Sequence, residues 1–507
     1  MEAITPNHRV LRASSLILVG RIAAMAMNFA IHIAIVRYLS VTSYGAFAFG
    51  LAIVGLLQTL AIMGLDRGLT RFLPTFDRRE EHGRFLGLVA MVVGVTATVS
   101  ALAVIAVAGL RVQTTAHLVT DAEAAALLVV LVLLVPIDAF DEILINLLAV
   151  FGDSRAIFFR RYIVAPALRL AAVTTMAVAG AGVLFLAYAY VAVSALGLAV
   201  FGFALRRHFG PRLAVARRGR IAIEMPWRLV LSYTLPLLTS DLTLVALTVV
   251  PIALLGTLGG TGEVAILGAI LPFAQLNELV FASTAVMYTP SIAWHSAGND
   301  NAAVGEAYRL SAKWMALLTF PIFAITLVAG TFLPQLLFGD QYAEASPLLP
   351  VLAGAYYFNA ALGFNGVTLK VLGHVRYIAI ISVVTALTSI LMNLWLIPPY
   401  GAPGAAIAMS VALVTHNLLK QWGISRIAGI AAFGHEERRV YLSIILASLS
   451  LLVILMLRLA VAFSLILAAA VSLWVLRANR EHLAIAEIMP NAGPIRLLLR
   501  IVLGAAR

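Results

Sequence analysis

The chain has 507 residues, of which 62% are hydrophobic and only 11% charged, with a formal net charge of +12 and a mean hydropathy of +1.01. A soluble chain carries about a quarter charged residues, so this composition excludes an ordinary soluble protein and indicates an all-α, polytopic membrane protein. The absence of cysteine excludes a disulfide framework and thiolate metal sites, and the positive balance fits cytoplasmic loops facing anionic lipid better than nucleic acid.

Met1 to Arg12 is polar, and the first apolar run after it is of spanning length, so no cleavable signal peptide is expected. A helix needs about 20 apolar residues to cross a hydrocarbon core of about 30 Å. Reading on that scale predicts fourteen spans, near 14–36, 44–66, 85–109, 122–150, 162–180, 183–205, 229–256, 263–290, 311–333, 346–370, 376–397, 403–422, 440–457 and 460–476, with boundaries good to several residues. The second of these sets the orientation. The turn before it carries Arg37, whereas its exit carries Arg67, Arg71, Arg78, Arg79 and Arg84, and basic residues collect on the cytoplasmic side. Arg37, Arg111 and Arg458 fall in outward loops, Arg21 and Arg169 inside spans, and the other basic residues in tails and inward loops. That asymmetry predicts a multi-pass protein of the cytoplasmic (inner) membrane with both termini cytoplasmic.

The outward loops are short, so no extracytoplasmic domain is expected. The arginine-rich segment 206–228 divides the first six spans from the next six. The organisation read from this is an N-lobe over 1–210, a basic cytoplasmic linker over 211–228, a C-lobe over 229–425, spans 13 and 14 over 440–477, and a cytoplasmic tail over 478–507. The two groups of six read as a parallel repeat. AVFGDSRAIFFRRYIVAPALRLAAV (149–173) aligns with KVLGHVRYIAIISVVTALTSILMNL (370–394), matching Gly152 to Gly373 and Arg155 to Arg376. GAGVLFLAYAYV (180–191) aligns with GAPGAAIAMSVA (401–412), and 44–74 is echoed more faintly in 261–290. An even number of spans per repeat predicts a pseudo-two-fold axis along the membrane normal and a substrate site between the halves near the midplane.

Three stretches resemble the polysaccharide flippase family: RYLSVTSYG with GLDRGLTRFLP (37–45 and 64–74), FGDQYAEASPLLPVLA (338–353) and NLWLIPPYGAPGAAIA (393–408). The superfamily also includes multidrug-and-toxin-extrusion antiporters and the lipid II flippase. The resemblance implies two six-helix lobes forming a V-shaped cleft, with two further C-terminal helices. It also implies alternating-access flipping of a polyprenyl-diphosphate-linked oligosaccharide, with membrane lipid as the medium and glycosyltransferases and a polymerase as possible partners. The fourteen-span count is similar to the lipid II flippase and to many polysaccharide flippases; most multidrug antiporters of the superfamily have twelve. No cofactor is expected: the chain has no P-loop, zinc spacing or nucleophile elbow.

Ionisable residues inside spans are costly and are functional candidates. In the first half these are Arg21, Asp138, Asp141, Glu142 and Arg169. By helical rise, the two arginines lie about 10 Å and Asp141 and Glu142 about 12–14 Å from the cytoplasmic face. The i, i+3, i+4 spacing places the three acids on one helix face, just after Pro136, which bends the span. Two compatible readings are open. The acids neutralise the arginines across neighbouring spans, or Arg21 or Arg169 faces the cavity and grips a diphosphate with its planar guanidinium fork.

In the second half Asp241 and Glu278 fall about 18 Å from the cytoplasmic ends of their spans, with no intramembrane basic partner in their own lobe. A carboxylate so placed binds a proton or a cation such as sodium, with Ser240, Gln275 and Asn277 as further oxygen donors. A permanently protonated acid and a cross-lobe ion pair gating the cleft are the competing readings. The segment 494–507, PIRLLLRIVLGAAR, reads as a basic amphipathic helix on the cytoplasmic leaflet, against a disordered tail. Other functions stand beside this flippase: a cation-coupled multidrug-type antiporter or a lipid II flippase of the same superfamily, and a polymerase, ligase or lipid-dependent glycosyltransferase. The last requires catalytic groups in a sizeable outward loop, where the chain has almost no charge.

Overall fold

The computed structural model describes residues 6–110, 122–152, 157–219, 222–298, 300–430, 434–457 and 459–482. The side chains of 6–19, 21–22, 110, 122, 206–219, 282, 286–287 and 435–436 are outside that description, as is the tail segment 494–507. The described chain is helical throughout, with no strand. It forms two compact units, residues 1–268 with Ile397–Ala402, and residues 269–396 with 403–507. The first unit therefore includes 229–268, which the sequence repeat places in the second lobe.

In the first unit, α1 (Pro6–Tyr38), α2 (Val41–Ile62), α3 (Leu65–Arg78), α4 (His82–Leu110), α5 (Ala122–Leu131) and α6 (Leu134–Val150) succeed one another. A π-helical turn, Phe159–Val164, leads into α7 (Ala165–Ala179), and α8 (Val183–Gly219), α9 (Trp227–Thr248) and α10 (Val250–Leu258) complete the series. Ser40 caps α2 by accepting from the Ser43 N–H at 3.1 Å, as N-cap serines do. α2 stops where Met63 and Gly64 both take left-handed conformations, φ 50° and 69°. α3 resumes at once, so that 41–78 reads as a single 38-residue candidate span.

This differs from the sequence expectation, which ends the span near Leu65 and treats Arg67 as part of a loop. The reason is the stripe Leu65, Leu69, Leu73 and Phe76, buried against Phe85, Leu88, Ile143 and Leu147. A buried i, i+4, i+8 stripe holds a helix together even where its other face is basic. Gly45 brings α2 against the start of the helix Thr261–Ala274, since a Cβ there would overlap the carbonyl of Thr261. Close approach at small residues is the usual basis of helix association in lipid, where apolar burial alone gives no preference for a helix partner.

α11 (Thr261–Ala274) is divided between the units at Gly268, and the second unit continues with α12 (Asn277–Ala297), α13 (Asn301–Ala329), α14 (Leu333–Phe338), α15 (Leu348–Ala361), α16 (Asn365–Val371), α17 (Val375–Arg426), α18 (His435–Met456) and α19 (Val461–Ala478). α13 is the centre of this unit. Its Ala316, Leu317, Phe320, Phe323 and Leu327 pack with Val440, Ile444 and Leu451 of α18 and Ala468 and Val475 of α19. Phe323 stacks on Tyr357 with ring centroids 4.4 Å apart, a contact worth about 0.5–1.5 kcal/mol beyond area burial. The Tyr357 hydroxyl also donates to the Ala316 carbonyl at 3.0 Å. Spans 13 and 14, expected as an appendage, are thus part of this unit's core. Midway along α13, Trp314 Nε1 donates to the His482 carbonyl at 2.8 Å.

α17 runs 52 residues and covers two predicted spans, which meet at Gly401 (φ 57°, ψ −132°). The predicted spans fall on helix, with short breaks inside some of them. Among the described residues, nine helices are long and apolar enough to cross a membrane by themselves, or ten if the bent pair Thr261–Ala274 and Asn277–Ala285 counts as one.

Candidate functional site

The first unit holds a charged cluster between α6, the π-turn, α7 and α8. Asp138, Asp141 and Glu142 stand on one face of α6, as their spacing predicts. The partner of Asp141 is Arg160, whose Nη2 donates to Oδ1 at 2.9 Å. Both side chains are largely buried, 10% and 17% exposed. The Arg160 guanidinium carbon lies 5.2 Å from the centroid of the Phe201 ring, within cation–π range. A Cβ at Gly197 would overlap that guanidinium, so α8 makes room for the arginine by carrying no side chain there. Arg161 approaches Glu142 at 3.9 Å with both groups partly exposed, which contributes little.

This corrects the sequence expectation at one point. Hydropathy places Arg160 in the cytoplasmic loop and pairs the acids with Arg21 and Arg169, whereas Asp141 is satisfied by Arg160. The physical cause is the π-helical turn Phe159–Val164. One extra residue in a turn rotates the downstream residues relative to an α-helical count, and such turns recur at functional sites. The signals available in sequence are the paired Arg160–Arg161 directly before an apolar run and the small Gly197 opposite.

Arg169 remains within electrostatic reach of Asp138, whose carboxylate is hydrogen-bonded to Ser194. Its guanidinium carbon sits 5.2 Å from the centroid of the Tyr190 ring, and its Nε is buried without a hydrogen-bond partner. So Arg169 is positioned by α6 and α8 yet keeps an unused donor. Arg21 is on α1, and its side chain lies outside the described residues.

The two acids of the coupling expectation separate. Asp241 on α9 has a counter-charge: Arg67 Nη2 donates to its Oδ1 at 2.5 Å, and Nη1 reaches the Leu237 carbonyl at 3.4 Å. The partner comes from the first predicted lobe, so of the readings left open for Asp241 it is the ion pair that the geometry resembles, and the nearest cation is Arg67 and not Lys313 or Lys370. α3 continues the span beyond Gly64 and carries Arg67 alongside α9, where Gly68 packs against Val230 and Thr234. Glu278, at the start of α12 in the second unit, is exposed. It has no ion pair or side-chain hydrogen bond among the described residues. Of the expected oxygen donors beside it, Gln275 donates through Nε2 to the Tyr356 hydroxyl at 2.9 Å, and Asn277 has a buried Oδ1 without a partner.

The second unit also contains buried cations that hydropathy places at span ends or in loops. Lys313 is 7% exposed and pairs with Glu437 at 3.3 Å, while Glu437 also accepts from the Gly434 N–H at 2.9 Å. Of the polar residues expected in spans, Asn417 donates to Asn359 at 2.7 Å, the interhelical role typical of a single amide in a membrane.

Comparison with known proteins agrees with this architecture. Residues 10–293 match the family described as Polysaccharide biosynthesis protein. A putative O-antigen transporter of Shigella flexneri is 26% identical over 117 residues, 23% of this chain and 28% of that protein, so the match spans little more than a quarter of the relative. A lipid II flippase, MurJ, in an inward closed conformation superposes with a TM-score of 0.69 at 14% identity, covering 91% of this chain and 97% of that one. An inward-facing multidrug resistance MATE family transporter of the MOP superfamily gives 0.60 at 15% identity, covering 80% and 95%. At such identities the superpositions speak for the fold, and the solved proteins that share it are transporters and a flippase, not enzymes. The family match covers more than half of the chain, and the protein belongs to the Polysaccharide biosynthesis protein family.

Proposed function

We propose that the protein is a flippase that moves a polyprenyl-diphosphate-linked oligosaccharide across the cytoplasmic membrane for surface polysaccharide synthesis. The observation that carries this reading is the family match over residues 10–293, on a chain whose fold is shared with a lipid II flippase. The charge chemistry supports it. Arg169 is held by aromatic and carboxylate neighbours with a buried donor still unused, which suits a phosphate oxygen. Arg21, on α1, is the second arginine proposed for that role, and Asp138, Asp141 and Glu142 act as the carboxylates that keep the cluster neutral until the diphosphate arrives. The two repeated lobes, alternating access, cytoplasmic termini and an association with the glycosyltransferases and polymerase of the same polymer belong to the same proposal.

The test is reconstitution. Proteoliposomes containing the purified protein and a fluorescent polyprenyl-diphosphate oligosaccharide should show protein-dependent movement of the headgroup between leaflets, read by a membrane-impermeant quencher. A headgroup that stays put while a cationic drug is exchanged would replace this reading with the second one, a cation-coupled antiporter. What favours that second reading is the fold shared with a MATE transporter together with the carboxylate of Glu278, which has no ion pair among the described residues.

A further inference from the structure

We propose that Lys420, Lys370, His416 and Asn365 form an oxyanion site in the second unit, suited to a phosphate or diphosphate group. Lys420 and His416 lie one turn apart on α17, and Asn365 and Lys370 are on the short helix α16. The Lys420 side chain crosses the first turn of α16. A Cβ built on Gly366 would lie 3.3 Å from Lys420 Cε and 3.6 Å from its Nζ, so the ammonium rests against the residue next to Asn365. His416 is within electrostatic reach of both Lys420 and Lys370, and the charge that acts on Lys420 is the second cation, Lys370.

Two further observations point to a ligand. Asn365 is 2% exposed and His416 8% exposed, and Asn365 Nδ2 and His416 Nε2 are both buried without a hydrogen-bond partner. The Asn365 carbonyl oxygen is already used, accepting from the Gly366 N–H at 2.7 Å, which leaves the amide donor facing elsewhere. Lys420 makes neither an ion pair nor a hydrogen bond among the described residues. No carboxylate acts on Lys420 or His416 among the described residues, and the buried Glu437 of this unit is committed to Lys313 and to its own helix cap.

A cation such as Lys420 with no counter-charge among the described residues, beside buried polar atoms without partners, is costly to hold in an apolar environment unless an anion completes it. An ammonium, an amide N–H and an imidazole nitrogen carried on two adjoining helical turns supply donors suited to an oxyanion. A carboxylate-bound metal is the wrong ligand for them. The site belongs to a different unit from Arg169. Its natural ligand, the diphosphate of a lipid carrier, rests on the transport reading; its donor chemistry does not.

The experiment uses the full-length protein in phosphatidylcholine nanodiscs, titrated with inorganic pyrophosphate and followed by calorimetry and by thermal shift. Wild type should bind. Lys420→Met, which keeps the apolar stem, should bind at least about tenfold more weakly, and Lys420→Arg should retain binding. If Lys420→Met fails to fold, Asn365→Leu and His416→Phe are read against the same expectation. A second arm incorporates polyprenyl diphosphate into the nanodiscs. Loss of the Lys420-dependent heat for added pyrophosphate there assigns the site to the lipid carrier, and its persistence assigns it to a free phosphate. Equal pyrophosphate affinity in wild type and in the folded variants overturns the proposal. Binding that depends on Lys420 in a protein that moves no glycan leaves this site standing and removes the transport reading instead.

Discussion

Asp141 and Arg160 are 19 residues apart and joined at 2.9 Å inside the first unit, with Gly197 giving the guanidinium its space. Removing one member of a buried pair leaves the other uncompensated, which costs more than the pair contributes. Asp141→Asn should therefore lower stability by about 3 kcal/mol, and Asp141→Asn with Arg160→Met should recover most of that loss. Unfolding in micelles, arranged as a double-mutant cycle, measures the coupling directly. Gly197→Leu should reproduce the single-mutant loss by steric means, with both charges still present. Additive single and double mutants would show that the pair is not energetically coupled.

Glu263 and Gly401 form a second contact of the first unit. The Glu263 carboxylate accepts from the Ala402 N–H at 2.6 Å, satisfying a donor freed by the break in α17. Gly401 has φ 57° and ψ −132°, a conformation that only glycine adopts readily, and a Cβ there would meet the Glu263 carboxylate. Gly401→Ala should cost about 1–3 kcal/mol through backbone strain. Glu263→Gln should cost less, because a neutral amide oxygen can still accept. A thermal-unfolding series on the two variants checks the order; a harmless Gly401→Ala would mean that the break in α17 is not rigid.

The spans are legible in the sequence because a bilayer enforces long apolar helices, and the motifs around Gly45 and Gly401 are legible as turns because glycine marks them. The contacts are not. Hydropathy ends a span where charge begins, but α3 buries Leu65, Leu69 and Leu73 while presenting Arg67 to a residue 174 positions away. Arg160 escapes a sequence reading because a single π-turn changes which residue faces inward, and no hydropathy window detects a rotation of that size. Asp138, Asp141 and Glu142 stand out because three acids in an apolar span are conspicuous, whereas lysines near span ends look like anchors. Lys420 and Lys370 are of that second kind, and only their surroundings distinguish them.

The unused Nε of Arg169 leads to a prediction about transport. Arg169→Ala should abolish surface glycan while the protein still reaches the membrane, and Arg169→Lys should restore part of it, keeping the charge but losing the planar fork. Arg21→Ala tests the partner arginine in the same way. Immunoblots of membrane fractions beside surface-glycan blots separate export from expression. Full export in both alanine variants would remove the arginines from diphosphate binding.

The last prediction concerns what drives the cycle. Asp241 is engaged by Arg67, with both side chains partly exposed, 26% and 39%. Such a pair contributes on the order of 1 kcal/mol and has its charge already compensated, so it needs neither a proton nor a sodium ion. Among the described residues Glu278 has no such partner, and Asn277, next to it in the chain, holds a buried oxygen that accepts nothing. A carboxylate without a counter-charge can take up a proton or a cation. We therefore expect the two acids to behave differently. Asp241→Asn should leave the dependence of transport on an imposed gradient intact, with a small loss of stability. Glu278→Gln should make transport indifferent to the gradient that drives wild type. Proteoliposomes with imposed proton, sodium or voltage gradients decide between them: a Glu278→Gln variant that responds like wild type would exclude this carboxylate from coupling, and a loss confined to Asp241→Asn would return the role to the Arg67 pair as a gate.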